Sequence, residues 1–150
     1  MQKNKIFPPK GTFSLLNLYF YNIYGLFSPK AMAQHNELGH KGEAAAVSYL
    51  ESKGHRILEK NWRLHGYEID IITTHGEYVV FVEVKTRTSE QWGDPQSFVG
   101  TQRMRRMIKA AHQYLLIHRI DLPARFDIVA IIWEGDRCEL EHIEDAFRAF

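Results

Sequence analysis

A single cysteine, Cys138, stands in the whole chain, so no intrachain disulfide can form and no thiolate cage can hold a metal. That usage agrees with a reducing cytoplasm. Charge of one sign is also scarce: 19 Lys and Arg against 18 Asp and Glu leave a formal net charge of +1. No global basic field marks the chain for nucleic acid, and any such role falls to a local patch. The eight histidines show no His-x-x-x-His pair. A Gly-rich phosphate loop, a Ser-His-Asp set and a cysteine nucleophile are all missing. So is a comfortable membrane span, which needs roughly 20 apolar residues. The longest apolar run, residues 13–27, is interrupted by Ser14, Asn17, Asn22 and Gly25.

What is there suffices for one domain. The 150 residues are 45% hydrophobic and 25% charged, enough for an ordinary core without staples. Residues 1–35 stand apart as an N-terminal extension. Lys3, Lys5 and Lys10 precede the aromatic run, and Ala31-Met32-Ala33 follows it. Three readings stay open: a true start at Met32, an extension associated with a surface, or a cleaved leader.

From Asn36 the pattern is regular. Asn36 is expected to cap a helix opening at Glu37 and ending at Gly54, with Leu38, Ala45, Ala46, Tyr49 and Leu50 turned inward. A strand is expected over 55–62. Two clearer ones follow over 68–74 and 78–86, rich in β-branched residues and joined by a Gly76-Glu77 turn. Gly93, Asp94 and Pro95 mark a loop. A long helix is expected over 98–119, with Met104, Ile108, Ala111 and Leu115 on its inner face. Strands over 125–133 and 138–143, joined by a turn at 134–136, complete an α/β domain over 36–150, a central mixed sheet flanked by helices.

The chemistry concentrates on the third strand. Val79, Phe81, Glu83 and Lys85 share one face, and Val80, Val82 and Val84 the other. An acid and an amine at the end of a strand apolar on both sides are costly to bury unless partnered. A structural ion pair is one explanation. The hairpin offers another: if Gly76 and Glu77 form the turn, residue 75 faces 78, Asp70 lies across from Glu83, and Glu68 across from Lys85. Opposed Cβ atoms are roughly 4.5–5.5 Å apart. Two carboxylates so close call for a cation between them, and carboxylate oxygens suit a hard one such as Mg²⁺. Lys85 would then orient a water or meet charge on a phosphate. A slip of one residue would send Asp70 to the opposite face.

Gly42-Glu43, Asn61-Trp62-Arg63, Gly66-Tyr-Glu-Ile-Asp70 and Phe81-Val-Glu-Val-Lys-Thr-Arg87 together resemble the YraN-like uncharacterised protein family. That family is similar to Holliday-junction resolvases and other restriction-endonuclease-like nucleases of the PD-(D/E)xK type. The resemblance implies a restriction-endonuclease-like fold. It makes Asp70 the motif aspartate, Glu83 and Lys85 the Glu-x-Lys pair, and Glu43 the first-helix glutamate that completes the metal's acidic shell. The proline of the motif is replaced by Ile69. The resemblance also favours a start at Met32.

Other candidates surround this set. Glu68 is a partner for Lys85, a member of the metal shell or a solvated strand end. Arg103, Arg105, Arg106 and Lys109 form one broad basic face at the start of the long helix, suited to phosphate contact or simply to solvent. Asp127 is expected to be structural, bonding a loop backbone. Trp62 and Trp92 are expected in the core or at the rim. The resulting expectation is a cytoplasmic nucleic-acid-binding protein, without a stable membrane span. It is expected to be an endonuclease using Mg²⁺ or Mn²⁺ held by Glu43, Asp70 and Glu83, with DNA as partner and a homodimer possible among resolvase-like relatives. The alternative is a non-catalytic nucleic-acid-binding or protein-interaction module on the same fold.

Overall fold

The computed structural model describes residues 29–88 and 100–149. Residues 1–28 of the expected 1–35 extension, the loop at Gly93, Asp94 and Pro95, Trp92 and the expected helix start at Phe98 lie outside those residues. The chain divides into two units, Met1–Asn36 and Glu37–Phe150, and the second carries the sheet.

Helix α1 runs Pro29–Ser52, followed by strands β1 (Arg56–Leu64), β2 (Tyr67–His75) and β3 (Tyr78–Thr88). Helix α2 (Thr101–His118) then leads to β4 (Ala124–Glu134) and β5 (Arg137–Phe147). The five strands lie in chain order across one sheet. Every neighbouring pair is antiparallel except β3 and β4, which are parallel. That one parallel pair follows from the intervening helix, since parallel neighbours need a crossover rather than a tight turn. The fold is therefore α/β, a mixed sheet flanked by helices. Among the described residues, no helix is long and apolar enough to cross a membrane.

Helix α1 begins well before Asn36, so that residue is interior and not a cap. A local capping preference is weak, and the helical run simply continues through it. Its other end follows the expectation. The Gly54 N–H bonds Glu51 O and the His55 N–H bonds Leu50 O, both at 3.0 Å, with Gly54 at φ 86°. This left-handed C-terminal cap suits glycine. Gly42, Ala46 and Leu50 form the buried stripe of the helix.

Each helix covers one face of the sheet. Ala46 and Leu50 pack with Ile71, Val80, Val82, Val129 and Ile131. Met107, Ala110, Ala111 and Tyr114 of α2 pack with Ile69, Ile72, Val79, Phe81 and Phe126 on the other face. The buried stripe of α2 is thus turned from the expected one: Ala111 belongs to it, whereas Met104, Ile108 and Leu115 only flank it. Two alanines let the helix lie close to the sheet, and the Tyr114 ring meets Phe81 and Trp62 edge-on at 5.9 and 5.5 Å. Trp62 is accordingly a core-rim residue.

The hairpin register follows the expectation from His75–Tyr78 to Ile71–Val82. Gly76 has φ 58°, and Glu77 is not among the left-handed residues. A positive φ at the first turn position alone is what a Gly-X hairpin turn requires. Past Ile71–Val82 the two strands part. β2 continues beside β1 only, with Trp62 facing Ile69 and Arg63 facing Glu68. β3 continues beside β4 only, with Glu83 facing Ile128 and Lys85 facing Ala130. The sheet opens here as a fork, and the candidate acids stand in it.

Candidate metal and nucleic-acid site

Asp70 fills the fork. Ile69 and Ile71, two residues apart, belong to the packing clusters on opposite faces of the sheet. Strict alternation is therefore broken at Asp70. Its Oδ2 accepts the Val84 N–H at 2.8 Å, a donor on β3 that β2 no longer pairs. Asp70 thus reaches β3 through its carboxylate, not as the backbone pair of Glu83.

Glu83, 1% exposed, is the most deeply buried acid of this group. Lys85 Nζ lies 2.8 Å from its Oε1. Arg103, in the first turn of α2, sets Nε at 3.1 and 3.0 Å from the two Glu83 oxygens. Its Nη2 lies 2.9 Å from Glu83 Oε2 and 3.5 Å from Asp70 Oδ1. One guanidinium therefore bridges both acids, with the fork geometry that suits arginine to carboxylates. Burial and the Glu83 charge push the Asp70 carboxyl up to about 7; Glu43 adds to this, while the Val84 N–H and Arg103 pull it down.

Glu43 approaches from α1. The Asn61 side-chain amide donates to its Oε2 at 3.0 Å, and His40 Nδ1 lies 3.8 Å from the same oxygen. Two local features put Glu43 there. A Cβ on the preceding Gly42 would stand 1.8 Å from Thr86 Oγ1, so only glycine lets α1 seat so close to β3. Asn61 takes φ 54°, a left-handed conformation that asparagine tolerates better than most residues. His40, Glu43, Lys60, Asn61 and Asp70 line a cleft of about 370 Å³.

The remaining candidates divide. Glu68 does not face Lys85, because the β2–β3 ladder has already ended; it pairs with Arg63 at 3.5 Å across β1 and β2. The basic face of α2 also splits. Arg103 turns to the acids, whereas Arg105, Arg106 and Lys109 are exposed. Arg106 Nη2 donates to the Gly66 carbonyl and ties α2 to the β1–β2 turn. Asp127 is structural. Its buried carboxylate takes Arg125 at 2.7 Å, His142 Nε2 at 2.9 Å and the Asp145 N–H at 3.1 Å.

Among the described residues, no three His, Cys, Asp or Glu side chains stand together as a ready metal cage. Glu43 is held by Asn61, and Glu83 by Arg103 and Lys85. The donors are nonetheless hard carboxylate oxygens, the ligand type that a hard divalent cation takes. The donor chemistry fits Mg²⁺ or Mn²⁺.

Sequence reasoning missed Asn61 as the support of Glu43 and His40 as its neighbour. The i, i+3 spacing of His40 and Glu43 on a helix is a signal that could have found the second. Nothing in the spacing shows that Asn61 reaches across from β1.

Fold and site together define a small α/β domain with buried acids at the fork of its sheet. The chain belongs to the uncharacterised protein family UPF0102, whose model matches residues 42–131. It is 44% identical over 119 residues to a UPF0102 protein of Flavobacterium psychrophilum, covering 79% of this chain and 100% of that one. A Geobacter metallireducens relative is 48% identical over 118 residues, covering 77% of this chain and 97% of its own. A Bacteroides thetaiotaomicron relative is 42% identical over 116 residues, covering 77% and 96%. The matched span includes Glu43, Asp70, Glu83, Lys85 and Arg103.

Proposed function

We propose that this is a restriction-endonuclease-like protein that binds nucleic acid, DNA first, and hydrolyses its phosphodiester bonds with Mg²⁺ or Mn²⁺. The observation that carries the reading is the meeting of Asp70, Glu83 and Lys85 at the β2–β3 fork, beside a cleft that Glu43 also lines. Glu43, Asp70 and Glu83 would hold the metal. Such a cation supplies Lewis-acid charge to a phosphoryl oxygen and makes a nearby water more acidic.

The protein's own groups do the rest. Asn61 fixes the Glu43 carboxylate, and the Val84 N–H fixes that of Asp70. Lys85, half-buried beside Glu83, orients the attacking water and meets negative charge as it builds on the phosphate. Arg105, Arg106 and Lys109 grip the backbone, a contact that carries no sequence information. Two copies would serve a two-stranded substrate, and the setting is a reducing cytoplasm, where the exposed Cys138 remains a thiol.

A second reading has its own observation. Arg103 and Lys85 already neutralise Glu83, which is how a non-catalytic binding module would keep a buried acid. Incubation with a panel of branched, flapped and single-stranded DNA and RNA separates the two. The nuclease reading expects cleavage with Mg²⁺ or Mn²⁺ that is lost in Asp70→Asn and in Lys85→Ala, the latter still binding the substrate. Binding without cleavage of any substrate, with either metal, leaves the module.

A further inference from the structure

Arg103 occupies the oxygens that the proposed metal needs. Its Nε and Nη2 cover both oxygens of Glu83 and reach Asp70 Oδ1, at 2.9 to 3.5 Å. Glu83 is 1% exposed, with Lys85 already on Oε1, so little of its carboxylate remains for a further ligand. A guanidinium and a divalent cation cannot share these oxygens, since like charges a few ångströms apart in a buried site repel strongly. Arg103 itself is about one-third exposed and starts from the first turn of α2. Rotating its long side chain out to solvent needs no movement of the sheet. Arg105, Arg106 and Lys109, already exposed, lie on the same helix.

We infer that Arg103 is a positioning residue that closes Asp70 and Glu83 in the metal-free protein and swings out to a nucleic-acid phosphate when a divalent cation takes its place. This rests on the reading that those acids bind a metal. It adds that metal and nucleic acid bind with positive coupling through one arginine, because each removes the partner that holds Arg103 inward or gives it a new one outside. Lys85 does not move in the exchange. It stays on Glu83 and limits the charge left there.

The test is Mn²⁺ affinity by isothermal titration calorimetry on the full chain, without nucleic acid. Arg103→Gln should bind Mn²⁺ more tightly than wild type by a factor within roughly 5–150, the usual span of such coupling. Arg119→Gln, which alters an exposed arginine just past the other end of the same helix, should match wild type. Equal or weaker binding by Arg103→Gln overturns the exchange while leaving the metal site intact. No binding by any of the proteins overturns the metal reading itself, and the exchange with it. Should Arg103→Gln fail to fold, the wild-type protein still decides. During a Mg²⁺ titration the ¹⁵N signal of Arg103 Nε should shift and its proton exchange faster with water. Arg125, locked on Asp127, should stay unchanged. An unmoved Arg103 signal with Mg²⁺ bound contradicts the proposal.

Discussion

At the scale of single residues, two positions do unusual work. Gly42 leaves no room for a methyl group, since Thr86 Oγ1 and Cβ would lie 1.8 and 2.9 Å from it. Gly42→Ala should therefore push α1 off β3, costing about 1–3 kcal/mol and several degrees of melting temperature. It should also displace Glu43. Thermal denaturation checks this, and Thr86→Ala in the same chain should recover part of the loss. Asp70 makes the opposite kind of prediction. Its carboxyl is raised to about 7, above the ordinary value of 3.8 that holds in the unfolded chain. The unfolded chain therefore gives up this proton first, and native stability falls as pH rises from about 4 through 7. Asp70→Asn cannot lose a proton, and its amide oxygen can still accept the Val84 N–H. In metal-free buffer its melting temperature should gain on wild type across that pH range. A constant gap would show that the acid is not under this strain.

Elements explain why some of this was legible in the sequence and some was not. The β-branched runs of β2 and β3 and the Gly76-Glu77 turn are local signals, and they gave the hairpin its correct register down to Ile71–Val82. Where the ladder stops is not local. It depends on β4 drawing β3 away in parallel and on β1 holding β2, which is why Glu68 was expected opposite Lys85 and is found on Arg63. The hydrophobic pattern misplaces the inner face of α2, because Ala110 contributes little to it yet sits fully buried. The sequence groups Arg103 with its exposed neighbours, because only the fork gives it acids to meet.

The far ends of the strands hold a cluster no spacing revealed. His55 of the α1–β1 turn stacks on His75 at 4.1 Å and lies 5.8 Å from His142, with Nδ1 at 2.9 Å from Thr73 Oγ1. Burial, then His75, His142 and Arg125, lower its pKa to about 4 against the pull of Asp127. The unfolded histidine protonates near 6.5, so stability is lost as pH falls from about 6.5 towards 4. His55→Gln should lose less melting temperature than wild type between pH 7 and 5, read by thermal denaturation over that range.

On the scale of the whole molecule, a net charge of +1 gives little long-range attraction, and nucleic-acid affinity should rest on the few cations exposed beside the fork. Arg105 and Lys109 are four apart on α2 and exposed, whereas Arg106 is tied to the Gly66 carbonyl. Arg105→Ala with Lys109→Ala should weaken binding and reduce the slope of log affinity against log salt by roughly 1–2. An unaltered slope would make this helix face a bystander.

On the proposed function, the buried acids at the parting of two strands take up a divalent cation. The decisive measurement is the melting temperature at pH 8 with and without Mn²⁺, for wild type and Asp70→Asn. Wild type should gain several degrees on adding the metal and Asp70→Asn none, as ligand binding to the native state requires. An equal gain in both proteins would remove Asp70 from any metal site.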